Sequence, residues 1–205
     1  MVEAIVNAGL GNVKSIKRMI EFVGGSAEIL DSPATLDSFD RVILPGIGAF
    51  DHGMRLLDEG GWIGPLHAIR ARGVPVMGIC LGMQLMCRGS EEGVLPGLGW
   101  VAADVRRITP EQNCLPVKVP NVGWRDTSVV KENLLLNRNE SYRFYFVHGY
   151  RVICDDPADL LAVIDYAGQT TAAFSRGNLF GCQFHPEKSH RCGMNLMQRF
   201  MAIAA

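Results

Sequence analysis

Mostly apolar runs and helical spacings alternate along the first half of the chain. Val2–Val6, Ala27–Leu30, Arg41–Leu44 and Val74–Ile79 have the length and β-branched content of strands buried on both faces. Between the first two, apolar residues stand at 13, 16, 19, 20 and 23, with Lys14, Lys17, Arg18 and Glu21 on the opposite face. That period predicts a helix over Val13–Val23, ended by Gly24-Gly25. Residues 51–72 carry a second helical pattern, with a break expected at Gly60-Gly61 or Gly64-Pro65. Another helix is expected directly after Cys80, where Leu81, Met83, Leu85 and Met86 mix with Gln84.

From Trp100 to Arg176 the pattern changes. Runs such as VAADVRRI, YRFYFVHGYRV and LLAVIDY alternate with turn signals at Asp155-Asp156-Pro157 and Ala167-Gly168, which is hairpin-like, largely antiparallel material. Leu179–Phe184 returns as a short strand. Met194, Leu196, Met197, Phe200, Met201 and Ile203 then space out a closing helix whose methionine-rich stripe reads as core. The fold class implied is α/β: an open, mostly parallel sheet flanked by helices with an antiparallel β insert, in a single domain over 1–205.

Composition narrows the function classes. The chain is 48% hydrophobic with a formal net charge of −1, and its charges are spread rather than clustered, so no nucleic-acid surface is expected. The start lacks a basic n-region and a long apolar h-region, and no apolar run approaches the ~20 residues that cross a bilayer. Six cysteines, at 80, 87, 114, 154, 182 and 192, are too few for a disulfide scaffold in a chain of 205 residues. A reduced, cytoplasmic setting and no membrane partner are the expectations.

Cys80 is the candidate nucleophile. It falls between strand and helix with Gly78 and Gly82 on either side, and a nucleophile on such a strained turn needs small neighbours. Helix N-terminal N–H groups favour a thiolate and can bind an oxyanion. Its base would be His185, held by Glu187 two residues on, with Pro186 stiffening the turn. The other histidines include His52 and His67, both expected at the surface. Gly46 and Gly48 in PGIGAF end another strand, either as an oxyanion loop or as a tight turn before the next helix. Gly9-Leu10-Gly11-Asn12 lacks the third glycine of a dinucleotide fingerprint, Lys14 standing there, and reads as a turn. Cys182, His185, His190 and Cys192 cluster in sequence, but their spacing fits no common structural zinc site, so no metal or cofactor is expected.

GICLGMQ (78–84) with FHPEKS (184–189) resembles the class I, or triad, glutamine amidotransferases. NAGLGNVKSI, LPGIGAF (44–50), PNVGW (120–124) and YFVHGY (145–150) are similar to the glutaminase subunits of imidazole glycerol phosphate synthase, over essentially the whole chain. The resemblance implies that Cys80 attacks the side-chain amide of glutamine, His185 protonates the leaving ammonia, and water releases glutamate from a thioester. It also implies an oxyanion hole of backbone N–H groups from Leu81 and the loop Gly46, Ile47 and Gly48. Gln84, Glu92, His148 and Gly149 match glutamine-pocket positions, and Trp124 and Lys188 match partner-interface positions. The implied partner is a (β/α)8-barrel cyclase subunit, forming a heterodimer that makes imidazole glycerol phosphate and aminoimidazole carboxamide ribotide in histidine biosynthesis.

Three blocks depart from that pattern: Asn7-Ala8-Gly9 where Asp-Tyr-Gly is usual, PNVGWR where PHMGWN is common, and Gly149 where serine usually follows the histidine. The altered interface block leaves open a paralogous subunit supplying ammonia for amidation of a surface sugar. A redox or stress protein with a reactive cysteine would explain Cys80 but not His185-Pro186-Glu187.

Overall fold

The structure, a computed structural model, describes residues 2–109 and 117–204, so Cys114 lies outside the described residues. Strands β1 (Glu3–Val6), β2 (Ala27–Leu30), β3 (Arg41–Gly46) and β4 (Val76–Cys80) are joined by helices α1 (Val13–Phe22), α2 (Phe50–Glu59) and α3 (Ile63–Ala71). Helix α4 is short (Leu81–Leu85). After it come β5 (Ala103–Arg107), β6 (Asn121–Val129), β7 (Tyr142–His148), β8 (Tyr150–Cys154), β9 (Leu160–Asp165), β10 (Gln169–Arg176) and β11 (Leu179–Cys182), then helix α5 (His190–Met201).

Nine strands form one sheet in the order β2-β1-β3-β4-β11-β10-β9-β6-β7. Pairing is parallel from β2 through β11 and antiparallel from β11 to β7. The α/β class is as expected, and most of the antiparallel strands extend the same sheet; among the described residues only β5 and β8 form a separate ribbon.

Alternation along the strands sorts the core onto two faces. Val42, Leu44 and Val76 pack with Met54, Leu57, Leu66 and Ile69 of α2 and α3, while Ile43, Met77 and Ile79 pack with Ile16 and Ile20 of α1 and Leu196, Met197 and Phe200 of α5. Among the described residues no helix is long and apolar enough to cross a membrane.

Several boundaries differ from the expected ones. The helical stretch 51–72 breaks at Gly60-Gly61, whereas Gly64-Pro65 sits in the first turn of α3, where a proline costs no intrahelical bond. β3 runs on through Pro45 to Gly46, because both residues pair with β4 as far as Cys80. The helix after Cys80 ends at Leu85, and the chain beyond it turns to place Leu98 and Trp100 against α4. β6 carries no clean alternation, since its middle is only half-buried and contains Gly123 at φ +125°.

Candidate active site

At the carboxyl end of β4 the chain turns sharply. Cys80 adopts φ 53° and ψ −109°, a strained conformation for a side chain other than glycine. Glycines let the neighbouring backbone close around it. A Cβ on Gly82 would stand 1.8 Å from the Leu44 carbonyl oxygen, and one on Gly78 would stand 2.7 Å from the Met83 nitrogen. Gly46, opposite Cys80 in the β3–β4 register, would likewise push a Cβ to 2.8 Å from the Gly82 nitrogen.

His185 reaches the same place from the adjoining strand. β11 pairs with β4, and the backbone N–H of His185 donates to the Tyr145 carbonyl on β7 at 2.9 Å. Ser189 clamps the turn: its Oγ donates to the His185 carbonyl at 2.6 Å and accepts from the Tyr145 N–H at 3.0 Å. The imidazole Nδ1 lies 2.8 Å from Glu187 Oε1. A carboxylate can only accept, so Nδ1 carries a proton and Nε2 is left for the cavity that Cys80 also lines. Burial disfavours the charged ring, but the bonds to Cys80 and Glu187 outweigh it and raise the His185 pKa to about 9.

Cys80 and His185 open into a cavity of about 480 Å³. Gln84, Glu92, His148 and Gly149 all line it, as do Leu81, Ile47 and Gly48. Glu92 is fixed at the N-terminus of α2, where Oε2 accepts from the Phe50 N–H at 2.9 Å. Asp51 returns the clasp by accepting from the N–H groups of Val94 and Leu95. His148 donates from Nδ1 to the Tyr150 carbonyl at 2.8 Å and accepts at Nε2 from Asn121 at 3.0 Å. Burial therefore holds it neutral, with its pKa pushed down to about 4.

Ile47 was expected among the oxyanion donors, but its N–H donates to the Leu10 carbonyl at 2.6 Å and so does not face Cys80 in this conformation. Gly46 belongs to β3, where its lack of a side chain lets β3 and α4 approach. Gly48 alone in the loop sits at φ +102°.

The two interface candidates stand outside the cavity or at its rim. Trp124 stacks on His190 with ring centroids 5.2 Å apart and meets Tyr145 edge-on at 5.8 Å. Lys188 is exposed at the cavity mouth, its Nζ 5.8 Å from the Tyr145 ring centre. His52 and His67 are exposed as expected, His67 accepting from the Trp100 indole at 3.0 Å. Cys182 is buried in β11 with its thiol directed to the Gly78 carbonyl at 3.6 Å. Sequence reasoning missed Asn121, Ser189 and Gln183. Gln183 carried a readable signal, being a polar residue inside the apolar run LFGCQF.

An open α/β sheet with a cysteine on a strand–helix elbow and a histidine–carboxylate pair beside it defines the class of triad enzymes that work through a thiol nucleophile. The profile of the Glutamine amidotransferase class-I family matches residues 4–204, and the chain belongs to that family. It is 41% identical to the imidazole glycerol phosphate synthase subunit HisH 2 of Pseudomonas aeruginosa over 97% of this chain and 98% of that one. Identity to the subunit HisH 2 of Methanococcus maripaludis is 42%, over 98% and 99% of the two chains. A solved structure of PurLQS from Thermotoga maritima has the same fold, with a TM-score of 0.73 at 18% identity over 98% of this chain and 97% of that one.

Proposed function

We propose that this chain hydrolyses glutamine to glutamate and ammonia as the glutaminase subunit of an imidazole glycerol phosphate synthase. The observation that carries the reading is the His185 ring, held by Glu187 at 2.8 Å and facing the same cavity as the Cys80 thiol. With the thiol proton already held at Nε2 of His185, the sulfur attacks the carboxamide carbon. The tetrahedral adduct collapses by breaking the C–N bond, and His185 returns the proton to the departing ammonia. Water, deprotonated by the same ring, then cleaves the thioester to glutamate and regenerates the thiol. Leu81, in the first turn of α4, offers an N–H to the oxyanion. Gln84, Glu92, His148 and Gly149 form the glutamine pocket. No step uses a metal or cofactor.

The reading treats 1–205 as one glutamine amidotransferase domain in the cytoplasm. Ammonia passes to a (β/α)8 cyclase subunit, which makes imidazole glycerol phosphate and aminoimidazole carboxamide ribotide. Exposed apolar side chains around the cavity mouth support a docked partner: Ile47 and Val147 line the cavity, and Val119 and Val122 flank Pro120. Trp124 and Lys188 belong to the same interface.

With the Ile47 N–H turned to Leu10, the loop lacks one oxyanion donor, so docking of the partner with its nucleotide must favour the turned-in peptide. The deciding experiment is a glutaminase assay on the chain alone, with the cyclase, and with cyclase plus acceptor nucleotide. A large rise in the last condition supports the reading. Activation only by a different ammonia acceptor, such as a sugar-amidating enzyme, would support the paralogue instead, which the altered block PNVGWR leaves open.

A further inference from the structure

Gln183 stands two residues before His185 and is completely buried at the end of β11, amid apolar neighbours. A buried carboxamide is costly unless both of its ends are bonded. Here both are. Its Nε2 lies 3.6 Å from Cys80 Sγ, and its Oε1 accepts from Gln84 Nε2 at 2.9 Å. Its backbone N–H donates to the Ala172 carbonyl on β10 at 2.8 Å, which fixes where the side chain begins.

We propose that Gln183 is a positioning residue that acts on the nucleophile with one end of its amide and on the glutamine pocket with the other. The inference rests on the glutaminase reading above. At the sulfur, two bonds compete. The protonated thiol can donate to the Val147 carbonyl at 3.8 Å, whereas the thiolate can only accept. An N–H donor strengthens its bond when the acceptor becomes an anion, so Nε2 of Gln183 favours the state in which His185 holds the proton.

At the pocket, Gln84 uses its amide nitrogen inward, toward Gln183 and toward the Tyr150 carbonyl at 3.5 Å. Its carbonyl oxygen is then the end left for a ligand in the cavity. The pocket thereby selects a substrate group that donates hydrogen bonds, such as an ammonium or a primary amide. One buried side chain thus couples the readiness of the nucleophile to the polarity of the pocket.

The test uses Gln183→Met and Gln183→Glu in the full chain, with its activating partner for turnover. Methionine removes both bonds at similar volume. Glutamate keeps an acceptor for Gln84 but replaces the donor at sulfur with an anion. Alkylation of Cys80 by iodoacetamide at fixed neutral pH, followed by mass spectrometry of its peptide, reports the sulfur end without requiring turnover.

Gln183→Met should slow alkylation about tenfold and raise KM for glutamine about three- to tenfold. Gln183→Glu should slow alkylation and lower kcat by about tenfold while holding KM within about twofold of wild type. Alkylation and KM both near wild type in Gln183→Met would overturn the proposal. So would equal losses in both variants that track only the folded fraction measured by thermal unfolding. Should methionine prevent folding, the glutamate variant's split between kcat and KM decides. A wild-type chain without glutaminase activity would instead sink the functional reading, and the alkylation rates would still judge Gln183.

Discussion

Asn121 and Arg125 are hydrogen-bonded to each other on β6, Arg125 Nε donating to Asn121 Oδ1 at 2.9 Å. Both stand in the block PNVGWR, at positions where it departs from the PHMGWN pattern. Asn121 then donates to His148 at 3.0 Å, so the pair runs from β6 to the cavity that Cys80 and His185 line. Arg125 also lies over the Tyr166 ring at 4.6 Å. A double-mutant cycle of Asn121→Ala and Arg125→Ala on unfolding free energy should return a coupling of about 1 kcal/mol. Additive effects would show that the pair is incidental.

Cys80→Ala should abolish glutamine hydrolysis while the chain stays folded, since it removes one sulfur atom from a turn. External ammonium should still support the cyclase reaction in the complex, because free ammonia bypasses this subunit. Wild-type glutamine turnover by the variant would remove Cys80 from the mechanism.

His185→Asn should lower turnover by about 10²–10⁴-fold through loss of proton transfer. Glu187→Gln should do less damage, because His185 remains held by Ser189 through its backbone and still faces the cavity that Cys80 lines. Steady-state kinetics showing the reverse order would exchange the two roles.

His148 and His185 face one cavity but shift in opposite directions, to about 4 and about 9. His148 is depressed in the folded state, so its contribution is present above its ordinary pKa near 6.5 and is lost as pH falls toward 4. His185 is raised, so its contribution is full below 6.5 and is lost as pH rises through about 9. Each flank is worth at most about 3 kcal/mol. Urea unfolding across pH 4–10 should show His148→Leu flattening the acid side and His185→Asn flattening the alkaline side.

The Ile47 amide should exchange slowly with deuterium in the isolated chain, where it is bonded to Leu10. Addition of cyclase and acceptor nucleotide should raise glutamine turnover strongly and change protection at that amide. Unchanged protection with raised turnover would separate activation from this peptide.

The sequence made the elbow legible because Gly78, Cys80 and Gly82 announce a local steric need. His185-Pro186-Glu187 was legible because the ring and its carboxylate are neighbours in the chain. What stayed hidden depends on contacts far apart in sequence. Nothing near Ile47 indicates that Leu10 takes its N–H, and nothing near Asn121 points to His148. β6 was hidden for another reason: its half-buried middle erases the alternation by which strands are recognised. The continuity of the sheet across its parallel and antiparallel parts likewise depends on β11 meeting both β4 and β10.

That placement of β11 bears on how the molecule is made. The strand is the last of the sheet to be synthesised, yet it lies between β4 and β10 in the sheet's middle. A chain emerging from the ribosome presents Cys80 about a hundred residues before it presents His185. Until Leu179–Cys182 pairs with β4 and β10, His185 does not stand beside Cys80 and the sheet has two unjoined halves. Contacts of such long sequence separation form slowly. Completion of the sheet and the meeting of Cys80 with His185 therefore depend on the same strand, and a chain cut short of Leu179 would lack both.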